Sequence, residues 1–475
     1  MAEAAPKTVK RIAIEFSALA VFYCGFVFLL PRPESVTTDG WRLTALFLAT
    51  VLGSILQPVP GGAVVLLAIT LAPVLGGMKI ADALGGYADS TVWLVMAAFF
   101  VSRALIDTGM ARRIALLFIR LFGKSSLGVG YALALTDWVL ASIIPSNAAR
   151  SGGVILPICR SICELYGSYP GETAKRLGRF LMAGVYQSVC VSTAMFLTGQ
   201  ASNPLAAQIA SGFGYKVTWA GWLVAGIVPG AVSLALTMWL VLKLNPPEIR
   251  HTPEAARFAH DELVKMGPMT RAQKVLLVVF ISVCGAWVSS GQTGVDITVA
   301  ALWGSAALLI TEILKWETVV SERAAWDIFI WYGGLLRLGK ALNEKGVTKA
   351  FAEGLGGYFS GLEWLPMLAV MLLIYFYAHY AFASITAHML AMYPPFLALL
   401  AAQGAPLGVV VFSFACFVNL SACLTHFGTT PAPMFFSQGY VSMRDWWRTG
   451  FVMSIAHLAV WGTIGFAWWK LLGLW

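Results

Sequence analysis

The chain has 475 residues, of which 59% are hydrophobic and only 12% are charged, with a formal net charge of +9. A soluble globular protein carries about twice that charged fraction, so the composition excludes that class and predicts an all-α polytopic membrane protein. In such a chain the excess of Lys and Arg bears on topology, and we predict no nucleic-acid partner.

The chain begins with a predicted N-terminal tail and first helix, residues 1–39. Segments long enough to cross a bilayer give about 11 transmembrane helices, near 12–31, 40–57, 61–77, 90–107, 177–198, 216–243, 271–290, 294–314, 326–342, 405–427 and 446–471. Two more apolar stretches, about 127–166 and 362–402, are interrupted by polar residues and Pro. Non-helical backbone at membrane depth must be buried in protein or line a wet cavity. We therefore predict two re-entrant hairpins, which enter and leave on the same side.

Lys and Arg indicate the orientation of these segments. They are concentrated before residue 12 and in 112–124, 160–179 and 243–274. Because positive residues favour the cytoplasmic side, we predict a cytoplasmic N-terminus and an external C-terminus, in a bacterial inner membrane. The charged stretch 244–270 is then a cytoplasmic linker, between halves at 40–243 and 271–475.

The two halves resemble each other. The segments RALIDTGMARRIALLFI, IPSNAARSG and LTGQASNPLAAQ recur in the same order as KALNEKGVTKAFAEGLG, FASITAHML and HFGTTPAPMFFSQ. The last pair lies in helices predicted to be broken, at about 177–211 and 405–438. Each half has five crossings and one hairpin, an odd number that makes the second copy inverted. Inverted repeats with discontinuous helices are typical of secondary transporters, with the substrate site at the repeat interface.

The hairpin turns and helix breaks supply the candidate substrate-binding residues. Helix ends at such turns present free N–H groups, and small hydroxyls and amides add hydrogen-bonding groups. Such a site suits carboxylate anions. The predicted residues are Ser146, Asn147 and Ala148 in the first turn, Ser384 and Thr386 in the second, Gly199, Ser202 and Asn203 in one break, and Gly428, Thr429 and Thr430 in the other.

Two basic residues, Arg150 and His388, lie one helical turn after Ser146 and Ser384. We expect each to face the same region as its serine, since an intramembrane Arg is a functional hypothesis by default. The alternatives are that Arg150 pairs with a structural acid such as Asp137, and that His388 is a packing residue.

The sequence predicts neither an enzyme nor a cofactor or metal site. It contains no Walker A sequence, dinucleotide-binding glycine loop or HExxH. Cys159 and Cys163 are four residues apart, a spacing that fits two small residues on one helix face better than a metal site. A membrane enzyme or a channel remains an alternative class.

At the level of these motifs the chain resembles the divalent anion/sodium symporter (DASS) family. The hallmark of that family is a Ser-Asn-Thr-type turn in each hairpin, here Ser146-Asn147-Ala148 and Ser384-Ile385-Thr386. The segments PSNAARSGGVILPI and FASITAH are similar to its exchanger branch of citrate/succinate, tartrate/succinate and 2-oxoglutarate/malate antiporters. The resemblance implies a homodimer and elevator-type alternating access.

One departure from the family bears on the coupling ion. In the sodium-coupled branch the hairpin turns and adjoining helix breaks form sodium sites, and here Ile385 stands where an Asn would be. Arg150 and His388 could do a bound ion's electrostatic work by neutralising a dianion. We therefore expect sodium-independent exchange of di- or tricarboxylates, with a sodium- or proton-coupled symporter on the same fold as the alternative.

Overall fold

The computed structural model describes residues 8–356 and 363–475, which form α-helices joined by turns and by short 3₁₀ and π segments. Part of the predicted N-terminal tail (1–7), the segment 357–361 and the predicted start of the second hairpin at 362 lie outside the described residues.

The helices of the first half and the linker are α1 (Val9–Leu29), α2 (Thr38–Leu56), α3 (Gly61–Leu75), α4 (Ile80–Leu84), α5 (Ser90–Asp107), α6 (Met110–Phe122), α7 (Ser126–Ala141), α8 (Asn147–Arg150), α9 (Leu156–Leu165), α10 (Gly178–Met195), α11 (Ser202–Gly212), α12 (Trp219–Leu244) and α13 (Pro253–Met266). A π turn joins α8 to α9.

The helices of the second half are α14 (Arg271–Thr293), α15 (Ile297–Ile310), α16 (Trp316–Ser321), α17 (Arg323–Glu344), α18 (Val347–Gly356), α19 (Trp364–Ala378), α20 (Ile385–Ala402), α21 (Leu407–Ser421), α22 (Pro431–Phe436), α23 (Met443–Val460) and α24 (Phe466–Leu471).

Long apolar helices dominate the described chain. Within residues 8–356 and 363–475, nine helical segments are long and apolar enough to cross a membrane. Three apolar helices, α3, α7 and α15, are shorter. These helices confirm the all-α polytopic membrane protein predicted from the sequence. The number of crossings and the inverted relation of the halves stay predictions.

Side-chain caps explain where several long helices begin. A helix leaves its first N–H groups without intrahelical acceptors, and Ser, Thr or Asp at the N-cap can accept from one of them. The side chains of Thr37, Asp89, Thr218 and Asp296 do so at the starts of α2, α5, α12 and α15. Local sequence therefore fixes these boundaries.

Two groups of helices face each other across the protein. In one group, α3 packs against α2 and α17, and α5 packs against α15 and α17. In the other, α10 packs against α7, α12 and α21 and is almost entirely buried. We call α2, α3 and α17 the wall helices, because they stand opposite the two helix tips described below.

The cytoplasmic linker predicted at 244–270 contains a helix, α13, that is not among the segments predicted from the sequence. Ala255, Ala259 and Leu263 recur every four residues and form its buried stripe. The helix packs against α6, and the Arg112 guanidinium lies 2.7 Å from the Glu262 carboxylate. The buried stripe contains only three residues among many charged ones. The apolar pattern along the sequence was therefore too weak to predict this helix.

A close approach between α23 and the turn after α21 generates a stability prediction. A Cβ on Gly450 would lie 2.4 Å from the Cys423 carbonyl oxygen and 2.7 Å from that of Leu424. Such overpacking typically costs about 1–3 kcal/mol, so Gly450→Ala should lower the thermal unfolding midpoint measured in detergent. Gly462→Ala is the matched control, because a Cβ there meets nothing within 4 Å. Equal midpoints for both variants would contradict this packing.

Candidate functional site

The two predicted hairpin turns have the same local structure. Ser146 is the N-cap of α8, with φ −135° and ψ 102°, and its hydroxyl accepts from the Ala149 N–H at 3.1 Å. Ser384 is the N-cap of α20, with φ −146° and ψ 126°, and its hydroxyl accepts from the Ala387 N–H at 3.3 Å. We call residues 145–148 the first tip and residues 384–387 the second tip.

Both tips line one cavity of about 330 Å³, at the small end of the range for ligand pockets. The wall helices α2, α3 and α17 form its opposite side. Seven of the residues predicted from the sequence line it, namely Ser146, Asn147, Ala148, Ser384, Thr386, Thr429 and Thr430. We call it the tip cavity. It therefore brings together segments from both halves of the chain.

The tips present backbone donors to this cavity. The serine hydroxyls and carbonyls engage the third and fourth N–H groups of each helix. The first two belong to Asn147 and Ala148 in one tip and to Ile385 and Thr386 in the other, and they have no intrahelical acceptor. All four residues line the tip cavity. Two helix N-termini with their partial positive charges thus meet at one site, an arrangement that suits an anion.

A polar bridge holds the first tip against the second half of the chain. The Asn147 amide donates to the Thr429 hydroxyl at 3.1 Å. Behind it, the Gln200 amide donates to Asn419 at 2.5 Å, and Asn419 donates to Asn203 at 3.0 Å. The two helix breaks are therefore joined by side-chain hydrogen bonds within the protein interior.

Arg150 does not line the tip cavity, although its position one helical turn after Ser146 predicts that it faces the same region. The side chain is fully buried and its Nε lies 2.8 Å from the Asp137 carboxylate. Its guanidinium also donates to the carbonyls of Ile144 (2.6 Å) and Gly199 (2.7 Å) and to the Thr193 hydroxyl (3.1 Å). The second Asp137 oxygen accepts from Ser192. Arg150 thus pairs with Asp137, the structural acid that the sequence offered as the alternative.

His388 is likewise buried away from the tip cavity. Its Nδ1 lies 2.9 Å from Nδ1 of His379, whose Nε2 lies 2.8 Å from the Gly428 carbonyl oxygen. A carbonyl accepts only, so His379 is protonated at Nε2. If His379 is neutral, its Nδ1 accepts and His388 donates. His388 also packs between the rings of Tyr375 and Phe382. It reaches the second helix break through His379.

The remaining predicted residues contact the backbone around the two helix breaks. Asn203 donates to the Thr193 and Phe196 carbonyls, which end α10. A Cβ on Gly199 would lie 2.3 Å from the Thr193 carbonyl oxygen, and one on Gly428 would lie 2.9 Å from His379 Nε2. Ser202 is buried as well. Gly199, Ser202, Asn203 and Gly428 are absent from the described lining of the tip cavity.

Sequence reasoning missed several residues at the site. Gln200 and Asp327 line the tip cavity, and Asn419 bonds to Asn203 in the first break. Among the described lining residues Asp327 alone carries a formal charge. Gln200 lies inside the predicted break and could have been found there, whereas Asp327 lies in an ordinary apolar helix. No group of three or more potential metal ligands occurs within the described ranges.

Comparison with solved structures finds proteins of the same overall fold. Two solved transporters share the fold: YdaH of Alcanivorax borkumensis (TM-score 0.50, 11% identity, 82% of this chain and 87% of that one) and MtrF of Neisseria gonorrhoeae (TM-score 0.53, 15% identity, 97% and 94%). Both likenesses concern the fold alone. The class that the fold defines is that of all-α polytopic membrane proteins.

The sequence comparisons define the family. The family model described as "Sodium:sulfate symporter transmembrane region" matches residues 10–475. The chain therefore belongs to this family, the DASS family that its hairpin motifs resemble, and it is a transporter and not an enzyme. YflS of Bacillus subtilis (strain 168) is 41% identical over 451 residues, covering 94% of both chains. Dicarboxylate transporter 1, chloroplastic, of Spinacia oleracea is 40% identical, covering 94% of this chain and 80% of its own.

The burial of Arg150 predicts that its removal destabilises the protein. Arg150→Ala would leave the Asp137 carboxylate buried without its cation, which costs about 3–5 kcal/mol, and the thermal unfolding midpoint in detergent should fall accordingly. Arg160→Ala is the control, since Arg160 is 61% exposed in its pair with Glu164 and such pairs contribute at most about 1 kcal/mol. A parental midpoint for Arg150→Ala, together with loss of ligand binding, would restore Arg150 as a direct ligand.

Proposed function

We propose that this protein exchanges di- or tricarboxylates of the succinate, malate, 2-oxoglutarate, citrate or tartrate class across the membrane. The observation that supports this proposal most strongly is the tip cavity, where two helix N-termini from different halves of the chain meet. Ser146, Asn147, Ser384 and Thr386 stand beside four backbone N–H groups there. Two clusters of donors at opposite tips suit a ligand with a carboxylate at each end.

The relatives support the substrate class. The Spinacia oleracea protein and a relative in Arabidopsis thaliana, 38% identical, are both named Dicarboxylate transporter 1, chloroplastic. Their likeness extends over 94% of this chain, including both tips. From that likeness, together with the donors of the tip cavity, we propose that the substrates of this protein are dicarboxylates.

The contacts behind the tips support sodium independence. In transporters with broken helices, carbonyl oxygens of unwound backbone bind the coupling cation. Here the Ile144 and Gly199 carbonyls accept from Arg150, and the Gly428 carbonyl faces His379. Donors of the protein thus already engage carbonyls at both breaks. We infer that these side chains replace a bound cation, which leaves exchange of one anion for another as the coupling.

A cation-coupled symporter is the second candidate. Arg150 and His388 do not line the tip cavity, whereas the Asp327 carboxylate does. No Lys, Arg or His side chain is present in the described lining to neutralise a dianion that enters the cavity. A proton or sodium ion carried with the substrate would supply that charge, and this observation favours the alternative.

The proposal also includes the membrane location, the orientation and the assembly of the protein. We place the protein in a bacterial inner membrane, with a cytoplasmic N-terminus and an external C-terminus. One relative of 33% identity, YbhI of Escherichia coli (strain K12), is named an inner membrane protein. Homodimer formation and elevator-type alternating access are part of the proposal through the family resemblance.

Exchange predicts a requirement for internal substrate. Proteoliposomes in sodium-free buffer should take up labelled succinate when loaded with unlabelled dicarboxylate and show little uptake when empty, because the reorienting step needs an occupied site. In a second arm, empty vesicles receive an inward sodium or proton gradient, and uptake there as fast as into loaded vesicles would contradict exchange and favour the symporter. Vesicles without protein control for leak.

The tip cavity predicts a specific loss in the variant Thr386→Val, which removes a hydroxyl and keeps the side-chain shape. A hydrogen bond to a charged group contributes about 1.5–3 kcal/mol, so the half-saturating concentration of dicarboxylate should rise roughly tenfold to a hundredfold. Thr70→Val is the matched control: Thr70 is exposed on α3 and bonds within its own helix. If both variants transport like the parent, the second tip does not contact the substrate.

A further inference from the structure

A second and larger cavity, of about 740 Å³, lies beside the tip cavity. Helices α2, α17 and α18 form one side of it, and α11 and α20 form the other. We call it the side cavity. Its described lining consists mainly of Leu, Ile, Val, Phe, Pro and Ala side chains, with few polar groups. A volume of this size accommodates a drug-sized ligand, and a lining of this kind favours hydrocarbon.

The polar groups of the side cavity include Gln208, Lys340 and Asn343. The Lys340 ammonium lies 2.6 Å from the Asp89 carboxylate, which also accepts from Gln208 at 3.4 Å. The charge of Lys340 is therefore offset by an acid. Arg337 is similarly paired with Glu344, at 3.0 Å.

Two further basic residues, Arg32 and Lys345, adjoin residues that line the side cavity or stand next to its lining. Arg32 donates to the Val36 carbonyl, and Val36 lines the cavity. The Cβ of Lys345 lies 3.1 Å from where a Cβ on Gly40 would stand, next to the lining residue Trp41. Within the described ranges no ion pair joins Arg32 or Lys345 to an acid, unlike Lys340 and Arg337. The edge thus carries positive charge beside an apolar interior.

We propose that the side cavity binds an anionic phospholipid of the bilayer, with an acyl chain between α17 and α20 and the phosphate at Arg32 and Lys345. The apolar lining matches the hydrocarbon chain, and Lys and Arg side chains near the membrane surface attract anionic head groups by about 1 kcal/mol each. In the topology proposed above, residues 32–36 and 345 lie on the outer side, so the lipid belongs to the outer leaflet.

The position of this lipid couples it to the substrate site. Leu335 on α17 and Leu390 on α20 line both the side cavity and the tip cavity. Helix α20 begins at the second tip, and α11 begins directly after the first helix break. The lipid therefore touches the helices that carry the site on one face and wall helices on the other. A ligand shifts a conformational equilibrium when its contacts differ between the states, and these contacts change if α20 moves past α17.

Lipid retention tests the binding site without a transport assay. The purified protein, exchanged into mixed micelles with equal phosphatidylglycerol and phosphatidylcholine, is analysed by native mass spectrometry. We expect retained phosphatidylglycerol in preference to phosphatidylcholine. Gly339→Leu should reduce retention of both several-fold, because a Cβ on Gly339 meets nothing within 4 Å and the longer side chain extends into the side cavity.

Matched variants separate the parts of the proposal. Gly285→Leu on α14 is the control for Gly339→Leu, since a Cβ on Gly285 also meets nothing within 4 Å and Gly285 is outside the side cavity. The double variant Arg32→Gln/Lys345→Gln should reduce the preference for phosphatidylglycerol roughly tenfold to thirtyfold, as expected for two charges near a head group. Unchanged retention in Gly339→Leu, equal loss in Gly285→Leu, or an unchanged preference in the double variant would overturn the proposal.

Discussion

The site depends on the buried guanidinium of Arg150. It lies within hydrogen-bonding distance of Asp137, of the Ile144 carbonyl at the first tip and of the Gly199 carbonyl at the first helix break. In a membrane interior each of these groups would be costly without a partner. One side chain therefore fixes where the hairpin turn stands relative to the broken helix. The second half reaches the equivalent carbonyl, that of Gly428, through His379 and His388.

The polar groups around the tips form two layers with different roles. Basic side chains and buried amides lie behind the tips and hold the irregular backbone together. The front layer consists of helix N-termini, hydroxyls and the amide of Asn147, which face the tip cavity. In the proposed function, attraction of the substrate anion rests on preoriented dipoles and hydrogen-bond donors. Asp327 across the cavity opposes that attraction, which fits a site that must release its ligand as well as bind it.

Local sequence patterns predicted much of this molecule. Apolar runs predicted the long helices, and interrupted runs placed both tips within a residue or two of Ser146 and Ser384. The direction of Arg150 could not be predicted, because its choice between the cavity and Asp137 depends on how α7 and α10 pack. The bonds between Asn147 and Thr429 and between Gln200 and Asn419 join residues more than 200 positions apart. Helices of both halves line the side cavity, and no local sequence pattern could therefore predict it.

The central claim is that donors of the protein itself stand where a coupling cation would otherwise bind the carbonyls of the helix breaks. Calorimetric titration of the purified protein with succinate tests this claim most directly, in sodium chloride and in choline chloride of equal ionic strength. The account predicts dissociation constants that agree within about twofold, a free-energy difference of only about 0.4 kcal/mol. Binding that is detectable only in sodium, or at least about tenfold tighter there, would contradict it.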